Sequence, residues 1–327
     1  MTLQRRALLR AAAALPAAGL FAPHAMAAWP SRPIRIVVPY PAGGGADLYA
    51  RRYAEFLAQA LGQPVIVDNR PGATGTLGSA EVARAAPDGH TLLFTNQTAV
   101  VQSQALVAKM PFDPNTELTR VAALFNGNLP LAVSANAPFE RVEALIERAR
   151  KEPVSFGTYG AGSIAHMLAY QLNKAAGTQF NVVHYKGENP MWVDVAGGHV
   201  QCAVGSYPGM LPHLQKGSVR PLAVTTRHRS PQMPDVRTFA EIGYEQPVFT
   251  MQGYMGIFAP ARLPSEVLAR LSEAIQEGAK TAPIRAMHAS FGGREVMPAT
   301  PAEFEQLWRA QTPVWVALAR ELDVRVD

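Results

Sequence analysis

The chain contains a single cysteine, Cys202. One thiol excludes an intramolecular disulfide and a cysteine-cluster metal centre, and its position excludes the acylated N-terminal cysteine of a lipoprotein. Charge is also scarce, at 17% of residues, with a formal excess of only +5. Three of the arginines, Arg5, Arg6 and Arg10, lie in an N-terminal leader, and without them the excess falls to about +2. No block of Lys and Arg with interleaved aromatics remains, so nucleic acid is not an expected partner. Long apolar runs are missing as well: the Ala/Leu-rich run ending at Phe21 falls short of the ~20 residues that a membrane span needs. The chain has no Gly-x-Ser-x-Gly elbow, His-Glu-x-x-His helix or Walker loop, and its histidines, among them His184, His199 and His213, lack metal-ligand spacing. No metal or cofactor is expected.

What is present begins with export. Arg5-Arg6, a weakly hydrophobic Ala-rich core and the small-x-small sequence Ala25-Met26-Ala27 form a signal peptide over 1–27, twin-arginine-like although the Sec route accepts similar leaders. The mature chain is expected to start at Ala28 in the periplasm. Its length predicts two domains, and its many glycines and prolines fit an α/β protein of short alternating units.

The first landmark is Val38-Pro39-Tyr40-Pro41-Ala42-Gly43-Gly44-Gly45-Ala46-Asp47. A β-branched run, Ile34–Val38, precedes it, and Tyr49, Tyr53, Phe56 and Ala60 follow at helical spacing. Such a strand–loop–helix junction leaves first-turn N–H groups unpaired and attracts an anion such as a carboxylate or phosphate. The plainer alternative is a surface loop in which Asp47 serves the first turn. Helix Asp47–Leu61, strand Val65–Asp68, the turn Asn69–Gly75, a helix around Leu77–Ala85 and strand Thr91–Thr95 continue the alternation, predicting a parallel sheet.

A second series starts after Leu129–Ser134 and the helical stripe Val142, Leu145, Ile146, Ala149. Strand Val154–Thr158 runs into Tyr159-Gly160-Ala161-Gly162-Ser163-Ile164-Ala165-His166, a repeat of the first junction. Two helix N-termini facing across a cleft would enclose an anion, with Ser163 Oγ as a further donor. Ser163 as a plain N-cap and His166 as a first-turn residue remain open. Gly160-x-Gly162-x-x-Ala165 also matches a relaxed dinucleotide pattern, but no acid follows near Gln179–His184. The run Phe249–Phe258 is long for one strand, and three amphipathic segments follow it: Ser265–Lys280, Pro283–Phe291, and a helix opened by the capping box Thr300-Pro301-Ala302-Glu303, kinked at Pro313 and reaching Leu322. With no strands of their own, these helices are expected to return to the first domain, so that the chain crosses near Asn126–Ser134 and again near Phe249–Phe258.

Several stretches together carry a family resemblance: Trp29 to Tyr40, Gly62 to Gly72, Ala86 to Leu93, Tyr185-Lys186-Gly187 and Pro221 to Thr225. Over essentially the whole mature chain, the sequence resembles the Bordetella uptake gene (Bug) receptors of tripartite tricarboxylate transporters. The resemblance implies a two-lobed α/β periplasmic binding protein of the type II, Venus-flytrap kind, each lobe a mainly parallel sheet flanked by helices and joined by two crossover strands. Lobe 1 would hold 28–128 with 250–327, and lobe 2 would hold 129–249. It implies a monomeric receptor, not an enzyme, that takes a small carboxylate to two integral membrane subunits. The alternatives are a ligand sensor for a membrane signalling partner and a Tat-exported periplasmic enzyme.

Carried over residue by residue, one ligand carboxylate would lie between Gly43, Gly44, Ala46 and Asp47 on one side and Gly162, Ser163 and His166 on the other. Tyr40 would line the first loop, and Asn96, Gln97 and Thr98 the distal pocket. The chain departs from the family at Gly205-Ser206, where relatives commonly have an acid, and at Glu188 after Gly187. Both departures are expected at the cleft, with an unpaired Glu188 favouring ligands that carry an amine or hydroxyl.

Overall fold

The computed structural model describes residues 29–125, 127–291 and 297–326. The leader expected over 1–27, the start at Ala28 and Asn126 at the first expected crossing lie outside the described residues.

The chain begins with β1 (Ile34–Val38), α1 (Gly45–Leu61), β2 (Val65–Asn69), α2 (Thr76–Ala83), β3 (Thr91–Asn96), α3 (Ser103–Leu106) and β4 (Leu118–Phe125). A second set follows: β5 (Pro130–Ser134), α4 (Val142–Lys151), β6 (Val154–Thr158), α5 (Ile164–Ala176), β7 (Phe180–His184), α6 (Glu188–Ala196), β8 (Cys202–Val204), α7 (Tyr207–Gln215) and β9 (Val219–Val224). The last elements are α8 (Pro247–Thr250), β10 (Tyr254–Pro260), α9 (Ser265–Ala279), α10 (Ala282–Ser290) and α11 (Pro301–Glu321).

Two five-stranded sheets result, in the orders β2-β1-β3-β10-β4 and β7-β6-β8-β5-β9. In each, one strand opposes the direction of the rest: β10 is antiparallel to β3 and β4, and β5 is antiparallel to β8 and β9. The central βα units are parallel, as the alternating pattern requires, with Ile36 opposite both Val67 and Leu92, and Phe156 opposite both Val182 and Cys202. The reversed strand is in each case the one entered from the other sheet. The architecture is that of a two-lobed type II binding protein.

Burial follows the strand period. On β1, Ile34, Ile36 and Val38 join Tyr49, Tyr53 and Leu57 of α1 in one core, whereas Val37 points into a different one. That second core is continuous through both lobes, joining Val37 and Leu93 to Val133, Phe156, Leu168, Trp308 and Trp315. A third core, with Ala132, Met191, Trp192 and Met210, closes the outer face of the second sheet.

The segment 249–258 is not one strand. Pro247 starts a short helical turn, Phe249 packs with Phe239 and Tyr244, and pairing begins only at Tyr254. The capping box forms: Thr300 Oγ1 accepts from the Glu303 N–H while the Glu303 carboxylate accepts from the Thr300 N–H. The helix runs through Pro313 to Glu321 with Leu322 as its C-cap, the extent expected from the sequence. Helices α9 and α10 pack on α1, and α11 packs on β4 and α3. Where the chain passes between sheets, the buried Asn128 directs its Nδ2 at Thr225 O, Thr226 Oγ1 and His228 O, at 2.8, 2.7 and 2.6 Å.

Candidate functional site

The two glycine junctions follow equivalent strands, β1 and β6, each flanked by two parallel neighbours. Each places an aromatic residue just beyond its strand, Tyr40 in one lobe and Tyr159 in the other. The Tyr40 phenol is near enough to Tyr159 to affect its ionisation. Burial raises the pKa of Tyr159, and the nearby Glu188 and Tyr40 add to the shift. Burial likewise raises Tyr40, whose hydroxyl donates to Asn96 Oδ1 at 2.6 Å and accepts from Thr95 Oγ1 at 3.3 Å. Both phenols are therefore neutral donors at physiological pH.

In the first junction, Asp47 serves its own loop. Its Oδ2 accepts from the Gly43 N–H and Arg51 Nε at 2.9 Å each, and its Oδ1 from Asn69 Nδ2 at 3.0 Å. Burial opposes its charge, yet these three donors prevail and hold its pKa below the ordinary carboxylate value. The Gly43 amide is thus engaged. The first-turn N–H groups of α1, on Gly45, Ala46 and Asp47, have no carbonyl four residues back to bond within the helix, and Gly44 provides the extended N-cap.

The second junction has the same economy. Ser163 caps α5, its Oγ accepting from the His166 N–H at 3.3 Å, and the Gly162 N–H donates to His166 Nδ1 at 3.1 Å. An imidazole that accepts at Nδ1 carries its proton on Nε2. Burial and the neighbouring His184, whose ring meets it edge-on at 4.5 Å, push the His166 pKa down to about 4. His166 therefore directs its lone pair to Gly162 rather than to the Ser163 hydroxyl, and the two do not form a nucleophile–base pair.

Glu188 is not the unpaired carboxylate expected from sequence. Its Oε1 accepts from the Ser206 N–H at 2.9 Å and its Oε2 from the Ser206 hydroxyl at 2.5 Å. Ser206 in turn caps α7 through the Gly209 N–H. A Cβ on Gly209 would stand 2.2 Å from Glu188 Oε2, so glycine there makes the room. The Gly205–Ser206 turn thus receives its acid from the start of α6 rather than from its own strand end. Gly205 itself lies under Trp192, whose ring is 2.9 Å from where a Cβ would be. Burial raises the Glu188 pKa against the pull of Ser206; the Trp192 N–H is close enough to lower it slightly but does not reach hydrogen-bond geometry.

Asn96, Gln97 and Thr98 cap the end of β3. Asn96 Oδ1 accepts from the Thr98 N–H as well as from Tyr40, and Gln97 Oε1 accepts from the Tyr254 N–H at 3.3 Å. Sequence reasoning missed Tyr159, although its place one residue beyond β6 resembles that of Tyr40, two residues beyond β1. It also missed Leu106, which reaches across the cleft so that its Cδ1 lies 2.0 Å from where a Cβ on Gly162 would be. Among the described residues, no group of three or more His, Cys, Asp or Glu is placed to hold a metal ion.

The profile of the tripartite tricarboxylate transporter family receptor matches residues 49–323. Protein BugT of Bordetella pertussis is 31% identical over 312 residues, covering 94% of this chain and 95% of its own. Among solved structures, that of R. palustris Rpa4515 with adipate superposes with a TM-score of 0.83 at 27% identity, covering 91% of this chain and 99% of that one. MatC from Rhodopseudomonas palustris with bound malate gives a TM-score of 0.77 at 26% identity, covering 89% and 100%. By profile, relative and superposition alike, the chain belongs to the tripartite tricarboxylate transporter receptor family, as a Bug-type solute-binding protein.

Proposed function

We propose that the protein is a periplasmic receptor that closes its lobes on a small carboxylate and presents it to the two integral membrane subunits of a tripartite tricarboxylate transporter. The observations that carry this reading are two glycine junctions, each at the N-terminus of a helix, with Tyr40 of the first near Tyr159 of the second, and the contact of Leu106, at the end of α3, with Gly162 of the second junction. Helix N-termini favour negative charge, and the remaining first-turn amides beside Gly44, Ala46 and Ser163 supply donors without a reactive group. The adipate and malate in the two related structures are of the same chemical class. In this reading lobe 1 is 28–128 with 250–327, lobe 2 is 129–249, and the leader over 1–27 directs export of a monomer. No helix among the described residues is long and apolar enough to cross a membrane.

The test is a thermal-shift screen of mono- and dicarboxylates, hydroxy acids, amino acids and aromatic acids, followed by calorimetry. A ligand at a hundred times its Kd stabilises the fold by about 2.7 kcal/mol. Carboxylate binding with the compound recovered unchanged supports the reading; no carboxylate binding, or turnover of the bound compound, overturns it. Retention of the liganded protein by the detergent-solubilised membrane subunits tests the transport role.

A further inference from the structure

Segment 97–106 of lobe 1 carries two buried carboxamides whose bonding is incomplete. Gln102 is 0% exposed, and both its Nε2 and its Oε1 lack partners. Gln97 is 1% exposed; the Tyr254 N–H claims its Oε1 and so fixes the sense of the amide, which leaves Nε2 as an unused donor. Buried amides left in this state are costly, and their two free Nε2 donors call for an acceptor oxygen.

Their location decides what that oxygen belongs to. The Leu106 N–H bonds to Gln102 O at 3.2 Å, and Gln102 has helical dihedrals, so the two side chains lie one above the other on one face of the turn. Leu106 on that face is the residue that meets Gly162 of the opposite lobe. Gln102 therefore shares the face of the segment that meets the opposite lobe. At the other end Asn96 ties the segment to Tyr40 of the first junction.

We propose that Gln102, with Gln97, forms a second polar subsite that holds an oxygen at the far end of the ligand, making Gln102 a determinant of specificity. This rests on the receptor reading above and narrows it: the ligand carries one carboxylate for the two junctions and a second oxygen function for the carboxamides. A ligand without that second oxygen leaves the amides unpaired and binds more weakly.

The test pairs succinate, glutarate and adipate with butyrate, pentanoate and hexanoate in calorimetry on the mature protein, its Gln102→Met variant and, independently, Gln97→Met. Wild type is expected to bind at least one dicarboxylate about ten-fold or more tighter than its monocarboxylate partner. Gln102→Met should abolish that preference by weakening the dicarboxylate alone, with the ligand-free Tm unchanged or raised because an unpaired polar group has been removed. Gln97→Met should act in the same direction on the preference, with a lower ligand-free Tm because the Tyr254 N–H loses its acceptor. Wild type binding without preference, variants that keep the preference, or variants that weaken both members of a pair equally each overturn the subsite while leaving the receptor reading intact. Wild type that binds no carboxylate of the wider screen removes both.

Discussion

Leu106 of the first lobe rests on Gly162 of the second, in the space that any side chain at 162 would occupy. Gly162 also holds φ at +72°, where a Cβ is strained. Gly162→Ala is therefore expected to act mainly on the closed form, where both costs apply. Ligand affinity should fall about ten-fold or more, while the Tm of the open, ligand-free protein drops by the equivalent of only about 1–2 kcal/mol. Leu106→Ala in the same molecule should restore part of the affinity by removing the contact but not the backbone strain. Calorimetry with small-angle scattering of free and liganded protein checks both.

Asn128 points its amide at three acceptors where the chain crosses between lobes. Asn128→Asp replaces those donors by acceptors and should destabilise the fold by about 3 kcal/mol or more, whereas Asn128→Ala should cost about 1–3 kcal/mol. Urea unfolding of the three proteins measures the order.

Glu188 has a pKa raised above its ordinary value of 4.5, so the fold favours its neutral form. Its stabilising share is complete below that value and is lost as the pH rises through the folded-state pKa. Glu188→Gln lacks this loss, so its stability relative to wild type should improve on going from pH 4 to pH 7. Ser206→Ala, which removes a helix cap and one of the carboxylate's donors together, should instead become more damaging over the same range, with a cap cost alone of about 1 kcal/mol. Denaturation at several pH values distinguishes the two.

His166 behaves oppositely. Its pKa falls from 6.5 to about 4 on folding, so the unfolded chain binds the extra proton first. The stability it contributes is present above 6.5 and lost as the pH falls toward 4, by up to about 3 kcal/mol. Protonating Nδ1 also sets two donors, the imidazole and the Gly162 N–H, against each other. His166→Gln should flatten this part of the pH–stability curve, as read from Tm between pH 4 and pH 7.

Much of the architecture was legible because the βα units carry strong local signals. Ile164–Ala176 and Val154–Thr158 have the ends that their apolar periods and the flanking glycines mark. The reversed directions of β5 and β10 were not legible, since strand direction in a sheet depends on where a distant segment lands. At the junctions, residue type announced a turn and a helix start but not which amides the loop itself would consume; Asp47 on Gly43 and His166 on Gly162 are i, i+4 arrangements that only the loop geometry selects. Glu188 was misread for the same reason. Its partner Ser206 lies eighteen residues on, beyond α6 and β8, and nothing local to either residue marks the pair.

The place of β10 between β3 and β4 bears on how the molecule is assembled. A chain emerging from its N-terminus completes the second sheet when β9 appears, since all five of its strands are then available. The first sheet must wait, with one edge of β3 open and β4 unpaired, until Tyr254–Pro260 arrives to fill the gap. Until then those two edges are open to pairing with other chains, and the nascent receptor's exposure to aggregation is greatest in the half that was made first.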